Sequence, residues 1–387
     1  MINYQNFKEL DAAGTYLVRL LFSVLHDIPA PALPSDLNWD YIFYLAKIHC
    51  VEVMAFYGAE KYIKENADLY STWKRCRDAN LAQNVLQIEA RAETFHSLYK
   101  SGIRFLPLKG FELKQLYNRP EFRQMSDIDI LIDPENAALI QPLMNSLGYK
   151  CVKNIGAYEE YVKPPCITVE FHKLLFSTDK LKFEYYKKLW EKAIPDEENP
   201  GALKLSPEDF YIFQMVHLWK HFIGLGSGVR SIMDIYVYMK KFQDSMDWNY
   251  IRQELKKLEL DDFSGKMESL SQYWFGNPDA QKNITVDGIS ELQRNIFFSG
   301  VYGSRESKKL KEMDSLQTQN GARQKIKYIR KRIFAGRREL EYSYPILKRI
   351  PVLLPFCWIH RLGIAVRNKK SIVKQELQLL LSKSKDR

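Results

Sequence analysis

The sequence predicts an α+β fold, a small mixed β-sheet flanked by N-terminal and C-terminal helical regions. Three observations carry that prediction. Apolar residues recur at helical spacing through the first hundred positions. Near Ile103 the spacing switches to short strand-like runs that alternate with helical ones up to about residue 176. Helical spacing then resumes from Leu181.

Trp39, Ile42, Phe43 and Ala46, with Leu45 and Ile48 alongside, predict one helix, and Met54 to Ile63 continues the pattern. Asn80 to Tyr99 predicts a stronger helix with Leu81, Val85, Ile88, Ala92 and Phe95 on one face, stopped by Gly102. Ile103 to Leu108 is short and apolar like a strand. Gly110 follows, and Phe111 to Tyr117 reads as a helix. Ile128 to Ile132 alternates with Asp127 and Asp129, which predicts a strand. Asp133 suits an N-cap and Pro134 a first turn, so a helix is expected from there to Leu147, ended by Gly148. Glu160–Val162 and Ile167–Phe171 read as two more strands.

Ser206-Pro207-Glu208-Asp209 starts a helix: Ser caps, Pro tolerates the first position, and the acids favour the first turn. It carries Phe210, Phe213, Val216 and His217 to about Phe222. Gly224 to Gly228 is a loop, and Val229 to Phe242 is another helix. The expected division is a helical region over 1–100, an α/β core over 101–200, a helical cleft or acceptor domain over 201–300 and a basic helical region over 301–387.

A hydrophobic content of 46% in 387 residues suffices for ordinary cores. The five cysteines form no C-x-x-C pair and no zinc-spaced cluster, so they read as buried reduced thiols. No apolar run approaches the roughly 20 residues that span a bilayer, and no leader is evident, so a cytoplasmic location is expected. The net charge of +10 is uneven. From Arg305 onward there are 22 Lys/Arg against 7 Asp/Glu, and before it 35 against 40. That asymmetry predicts an anionic partner: nucleic acid, an acidic membrane face or a phosphorylated substrate.

The chemistry-bearing residues lie in the predicted sheet. Asp127 and Asp129 are two apart, so a strand projects both carboxylates from one face. Magnesium uses one or two carboxylates together with substrate phosphates and water. A lone D-x-D is a weak signal, and a solvated strand end is the plain alternative. Upstream, Lys109 and Gly110 close a strand before a helix, where backbone amides can hold phosphate and glycine permits close approach. Downstream, Glu170 and His172 share a face of another strand. Three carboxylates from two strands could hold two divalent ions about 3.5–4 Å apart.

Gly110, the Asp127-Ile128-Asp129 run and Glu170 together resemble the DNA polymerase beta-type nucleotidyltransferase superfamily. More narrowly, Leu108-Lys109-Gly110, Arg123 to Ile132, and Val169-Glu170-Phe171-His172 resemble the uncharacterised bacterial nucleotidyltransferase family. The likeness continues through His217 to His221 and Arg230 to Asp234, and covers about residues 30 to 240. It implies transfer of a nucleoside monophosphate from an NTP, ATP being the expected donor, to a hydroxyl acceptor with release of pyrophosphate. It implies a two-Mg²⁺ site, with Mn²⁺ as an alternative, on Asp127, Asp129 and Glu170. Lys109, Gly110, Arg123 and Ser126 would meet the triphosphate. The superfamily's turn has Gly followed by Ser or Gly, whereas this chain has Gly110-Phe111.

Other residues carry two readings each. His172 could touch metal, nucleotide or acceptor, or simply pack. His217 and His221 share a helix face and either line the cleft on the acceptor side or pair within the core; Leu218 stands where a zinc protease needs Glu. Arg230 and Asp234, four apart, are expected to pair along their helix. Lys325 to Arg338 holds seven basic residues in fourteen and resembles a basic amphipathic helix for RNA or an acidic membrane surface, which makes peripheral membrane attachment an alternative location. Ile346 to Trp358 is apolar but broken by prolines, and Ile372 to Leu381 reads as a final helix. Two rival functions stand beside the main one: a toxin-like nucleotidyltransferase acting on tRNA ends, and a non-catalytic binding protein that keeps the fold.

Overall fold

The computed structural model describes residues 7–155, 157–175, 180–224, 226–277, 289–301 and 346–360, with 337, 340 and 344 besides. The basic segment Lys325 to Arg338 and the final helix Ile372 to Leu381 lie outside the described residues, apart from Arg337.

Four helices open the chain: α1 (Phe7–Leu25), α2 (Trp39–Ile48), α3 (Glu52–Ile63) and α4 (Ala67–Lys100). Asn38 and Asn66 cap α2 and α4 by accepting from the amides of Tyr41 and Leu69. The sheet region follows as β1 (Phe105–Pro107), α5 (Gly110–Lys114), β2 (Ile128–Ile132), α6 (Ala137–Ser146), β3 (Lys150–Asn154), β4 (Tyr158–Lys163) and β5 (Ile167–His172). After it come α7 (Lys180–Lys187), α8 (Leu189–Lys192), the short pair β6 (Ile194–Pro195) and β7 (Leu203–Lys204), then α9 (Pro207–Gly224), α10 (Val229–Phe242), α11 (Trp248–Lys257) and α12 (Asp261–Phe275). A helix over Ile289–Ser299 and a short helical stretch from Ile346 complete the described elements.

The five-stranded sheet runs β1-β2-β5-β4-β3. β2 and β5 are parallel, and every other neighbouring pair is antiparallel. The sheet is therefore mixed, and the fold is α+β.

Strand periodicity sorts the sheet's two faces. Ile128, Ile130 and Ile132 of β2 and Ile167, Val169 and Phe171 of β5 point into one core, covered by Ile140 and Met144 of α6 and by Ala90, Phe95 and Leu98 of α4. Asp129, Glu170 and His172 take the opposite face. There α9 and α10 cover the sheet, and a larger core links α1–α3, α9–α12 and the sheet residues Leu106, Leu108 and Leu131.

Three sequence expectations change. The first predicted strand shortens to Phe105–Pro107. β3 was not expected, because an edge strand reading Lys-Cys-Val-Lys-Asn, almost wholly exposed, carries no apolar alternation. Over the second half of α4 the buried positions are Gln87, Ala90, Thr94, Phe95 and Leu98, while Val85 is 56% and Ile88 45% exposed. The partner surface chose the face: Gln87 donates to the carbonyl of Met125, a bond that apolar spacing cannot foresee. No described helix is long and apolar enough to cross a membrane.

Candidate active site

Asp129 and Glu170 are register partners on the parallel strands β2 and β5, so their side chains emerge side by side. His172, two residues on, joins them. Its Nε2 lies 2.9 Å from Asp129 Oδ1 and 3.5 Å from Glu170 Oε2. One ligand atom from each of these three residues falls within 4.8 Å of the others, a spacing that can hold a metal ion. Asp127 sits just before β2 and outside that trio, yet its charge acts on Glu170, and the charge of Asp129 acts on it. Ser126 hydrogen-bonds Asp127.

Crowding shifts the acids apart. Burial and then the charges of Asp129 and Asp127 push Glu170 up to about 7. Burial and Asp129 raise Asp127 as well. Burial also opposes the charge on Asp129, but the hydrogen bond and charge of His172 outweigh it and hold this carboxyl down at about 2. Carboxylates kept close in a half-buried site need positive charge, and hard oxygen donors of this kind fit Mg²⁺. The imidazole of His172 broadens the fit toward Mn²⁺.

These residues face a cavity of about 490 Å³ between the sheet, α9 and α10. A cation lines the same cavity. Lys109, at the N-cap of α5, extends to α9, where Nζ lies 3.0 Å from Nδ1 and 2.5 Å from Nε2 of His217. His221 Nε2 is 3.2 Å from His217 Nε2. Burial, opposed by Asp129 and Asp127, brings Lys109 down to about 8. Burial and the Lys109 charge hold His217 well below its usual range and His221 at about 4. Near neutral pH the wall is thus one ammonium and two neutral imidazoles. The histidines line the cleft, and Lys109 holds them.

Gly110 packs against Met125: a Cβ there would lie 3.0 Å from the methionine Cε. The segment from Arg123 to Ser126, which leads into Asp127, is clamped from several sides. Gln87 donates to the Met125 carbonyl, Gln124 accepts from the Val53 amide and donates to Asn80, and Arg230 Nη1 donates to the Gln124 carbonyl at 2.6 Å.

Arg123 departs from the expected phosphate clamp. It is 3% exposed, and all three guanidinium nitrogens are engaged. Nε and Nη2 donate to the two carboxylate oxygens of Asp234 at 2.8 and 3.0 Å, and Nη1 donates to the Gly110 carbonyl at 2.9 Å. Burial favours this fully bonded arrangement over a loose cation. Asp234 also accepts from Tyr117. The expected Arg230–Asp234 helix pair is accordingly replaced by Arg123–Asp234, because a planar fork one segment away meets both oxygens at once. Sequence reasoning also passed over Gln214, which lines the cleft. Extending the row His221, His217 back one turn along α9 would have found it.

A mixed sheet that sets carboxylates on adjacent parallel strands, beside a lysine at a glycine turn, defines a nucleotidyltransferase-type protein. The chain belongs to the family described as uncharacterised nucleotidyltransferase, whose sequence profile matches residues 35–276. Membership places it among transferases of nucleotidyl groups. No curated protein matches the chain.

Proposed function

We propose that the protein transfers a nucleoside monophosphate from an NTP to a hydroxyl acceptor in a divalent-metal-dependent reaction. One observation carries the reading: Asp129 and Glu170 are paired across parallel strands, grouped with His172, and face a cavity that Lys109 also lines.

Asp129 and Glu170, with Asp127 beside them, would hold Mg²⁺, and His172 would orient Asp129 or join the ligand set. A bound divalent ion supplies charge neutralisation at the phosphate oxygens and acidifies a nearby hydroxyl. Lys109 offers a positive point charge to the triphosphate, and its contact with His217 fixes it in the cleft. Ser126 lines the cleft beside Asp127 and offers a hydroxyl. Arg123 acts indirectly, by fixing the Gly110 carbonyl and so the turn that presents Lys109.

In the transfer the acceptor oxygen bonds to the α-phosphorus, and the bond from that phosphorus to the bridging oxygen breaks. Pyrophosphate leaves with the electron pair. The acceptor proton passes to Glu170, whose carboxylate stands beside Asp129 on the neighbouring strand. His221 and Lys220 stand on the cleft wall where an acceptor would enter.

A second reading, transfer to a tRNA end, is favoured by the 22 Lys/Arg against 7 Asp/Glu from Arg305 onward, a charge suited to a phosphate backbone. The test is label transfer from α-labelled NTPs to RNA, metabolite and protein pools with Mg²⁺ or Mn²⁺. The wild type labels one pool. Asp129→Asn and Asp127→Asn keep the wild-type circular dichroism but lose at least about a hundredfold in rate. Undiminished labelling by either variant refutes the assignment.

A further inference from the structure

The stretch from Ile346 to His360 is apolar on both of its sides. Inward, Leu353, Leu354, Cys357 and Trp358 pack with Leu340 and Leu347 in a small core of their own, separate from the two cores of the body. Outward, Val352 is 80%, Phe356 68% and Ile359 67% exposed, and a spacing of four and then three residues sets them on one side of the helical turns they occupy. Ile346 and Ile350, just upstream, are about half exposed. Among the described residues sixteen large hydrophobic side chains are exposed. Five of them fall in this stretch, and they include the three most exposed of all. Single exposed apolar residues are ordinary, whereas a cluster of them marks a contact surface.

We propose that this surface docks on a membrane leaflet that carries acidic lipid. Charge chooses the partner. Between Tyr342 and Gln375 the sequence holds seven Lys or Arg and no Asp or Glu. Lys348 and Arg349 fall inside the apolar stretch, where Arg349 is exposed, and Arg361 follows it. Acidic headgroups over acyl chains meet both features at once: Val352, Phe356 and Ile359 enter the acyl boundary while the cations stay among the headgroups. A second copy of the chain would bring the same positive charge to the contact and repel it. An RNA backbone would satisfy the cations but not the apolar side chains, because bases stack on flat rings and only Phe356 of the three supplies one. The stretch is broken at Pro345, Pro351 and Pro355 and is too short to cross a bilayer, so it lies on the surface. None of these residues lines the active-site cavity, so the inference stands apart from the nucleotidyltransferase reading.

The experiment is co-sedimentation of the full chain with vesicles of phosphatidylcholine alone, and of phosphatidylcholine with phosphatidylglycerol at roughly 2:1, in about 0.1 M and about 0.5 M salt. The wild type should partition onto the acidic vesicles about tenfold or more above the neutral ones, and high salt should weaken that binding. The triple variant Val352→Ser, Phe356→Ser and Ile359→Ser should lose about tenfold or more on acidic vesicles and keep the wild-type thermal melt, since all three positions are exposed. Phe356→Trp, which keeps the apolar surface and adds a ring suited to the headgroup boundary, should bind at least as well as the wild type. Three results overturn the proposal: no binding to acidic vesicles, equal binding to neutral and acidic ones, or a serine variant that binds as well as the wild type, which leaves charge alone as the cause. Unbound vesicles together with a wild-type dimer, or a bound labelled RNA, that the serine variant loses would reassign the surface to a second copy or to RNA and overturn it as well. Failure on any of these counts leaves the nucleotidyltransferase reading standing, because label transfer tests that reading separately.

Discussion

Replacing Asp234 by Leu removes one half of a buried ion pair. Side-chain exposure is 4% for Arg123 and 7% for Asp234, and the two bonds between them are 2.8 and 3.0 Å. Water cannot take over from the lost carboxylate. The guanidinium keeps only the Gly110 carbonyl, and the Tyr117 hydroxyl loses its acceptor. Removing one partner of such a pair costs about 3–5 kcal/mol, a large fraction of a typical folding free energy of roughly 5–15 kcal/mol. Arg123→Met should cost a similar amount by stranding the carboxylate. The double variant, Arg123→Met with Asp234→Leu, strands no charge and should lie well above the sum of the two singles. The assay is chemical denaturation of all four proteins, closed as a double-mutant cycle. Label transfer is followed in parallel, since Arg123 also fixes the turn carrying Lys109. Additive single and double variants would refute the coupling. So would a cost below about 0.5 kcal/mol for Asp234→Leu, the range of ordinary surface changes.

Burial holds His49 at about 4 in the folded protein, against an ordinary value of 6.5, while its Nδ1 accepts from the Val229 amide. The folded state therefore binds fewer protons than the unfolded state between pH 6.5 and about 4. Stability is full above that window and falls as pH drops through it, by up to about 3 kcal/mol. His49→Gln should remove that share of the pH slope in denaturation titrations, and an unchanged slope contradicts the reasoning. Phe171 is fully buried against Tyr161, with ring centroids 5.8 Å apart. Phe171→Ala should cost about 3–5 kcal/mol and displace its strand neighbour Glu170, lowering metal affinity in calorimetry. A loss under about 1 kcal/mol would show that the sheet core repacks.

The central strands were legible because they are short, apolar and buried on one face: Ile128 to Ile132 and Ile167 to His172 announce themselves by alternation. That alternation also foretold that Asp129, Glu170 and His172 leave the sheet on one side. The edge strand at Lys150 was illegible because exposure removes the apolar signal, and the buried face of α4 because a polar residue, Gln87, anchors it. The role of Arg123 was hidden for another reason. Its partner Asp234 lies 111 residues away, and no local spacing reports a bond made only when α10 packs on the sheet. Gln214 was overlooked because a glutamine in an apolar helix carries no motif.

α4 is a single rod of 34 residues, about 51 Å long at 1.5 Å per residue. Leu69 and Trp73 near its start belong to the helical core, and Ala90, Phe95 and Leu98 near its end floor the sheet. Trimming the protein to its strands would strip that floor and open Phe105 and Ile130 to water. The smallest fragment worth expressing must begin upstream of Ala67, and the family match, starting at residue 35, keeps the rod whole.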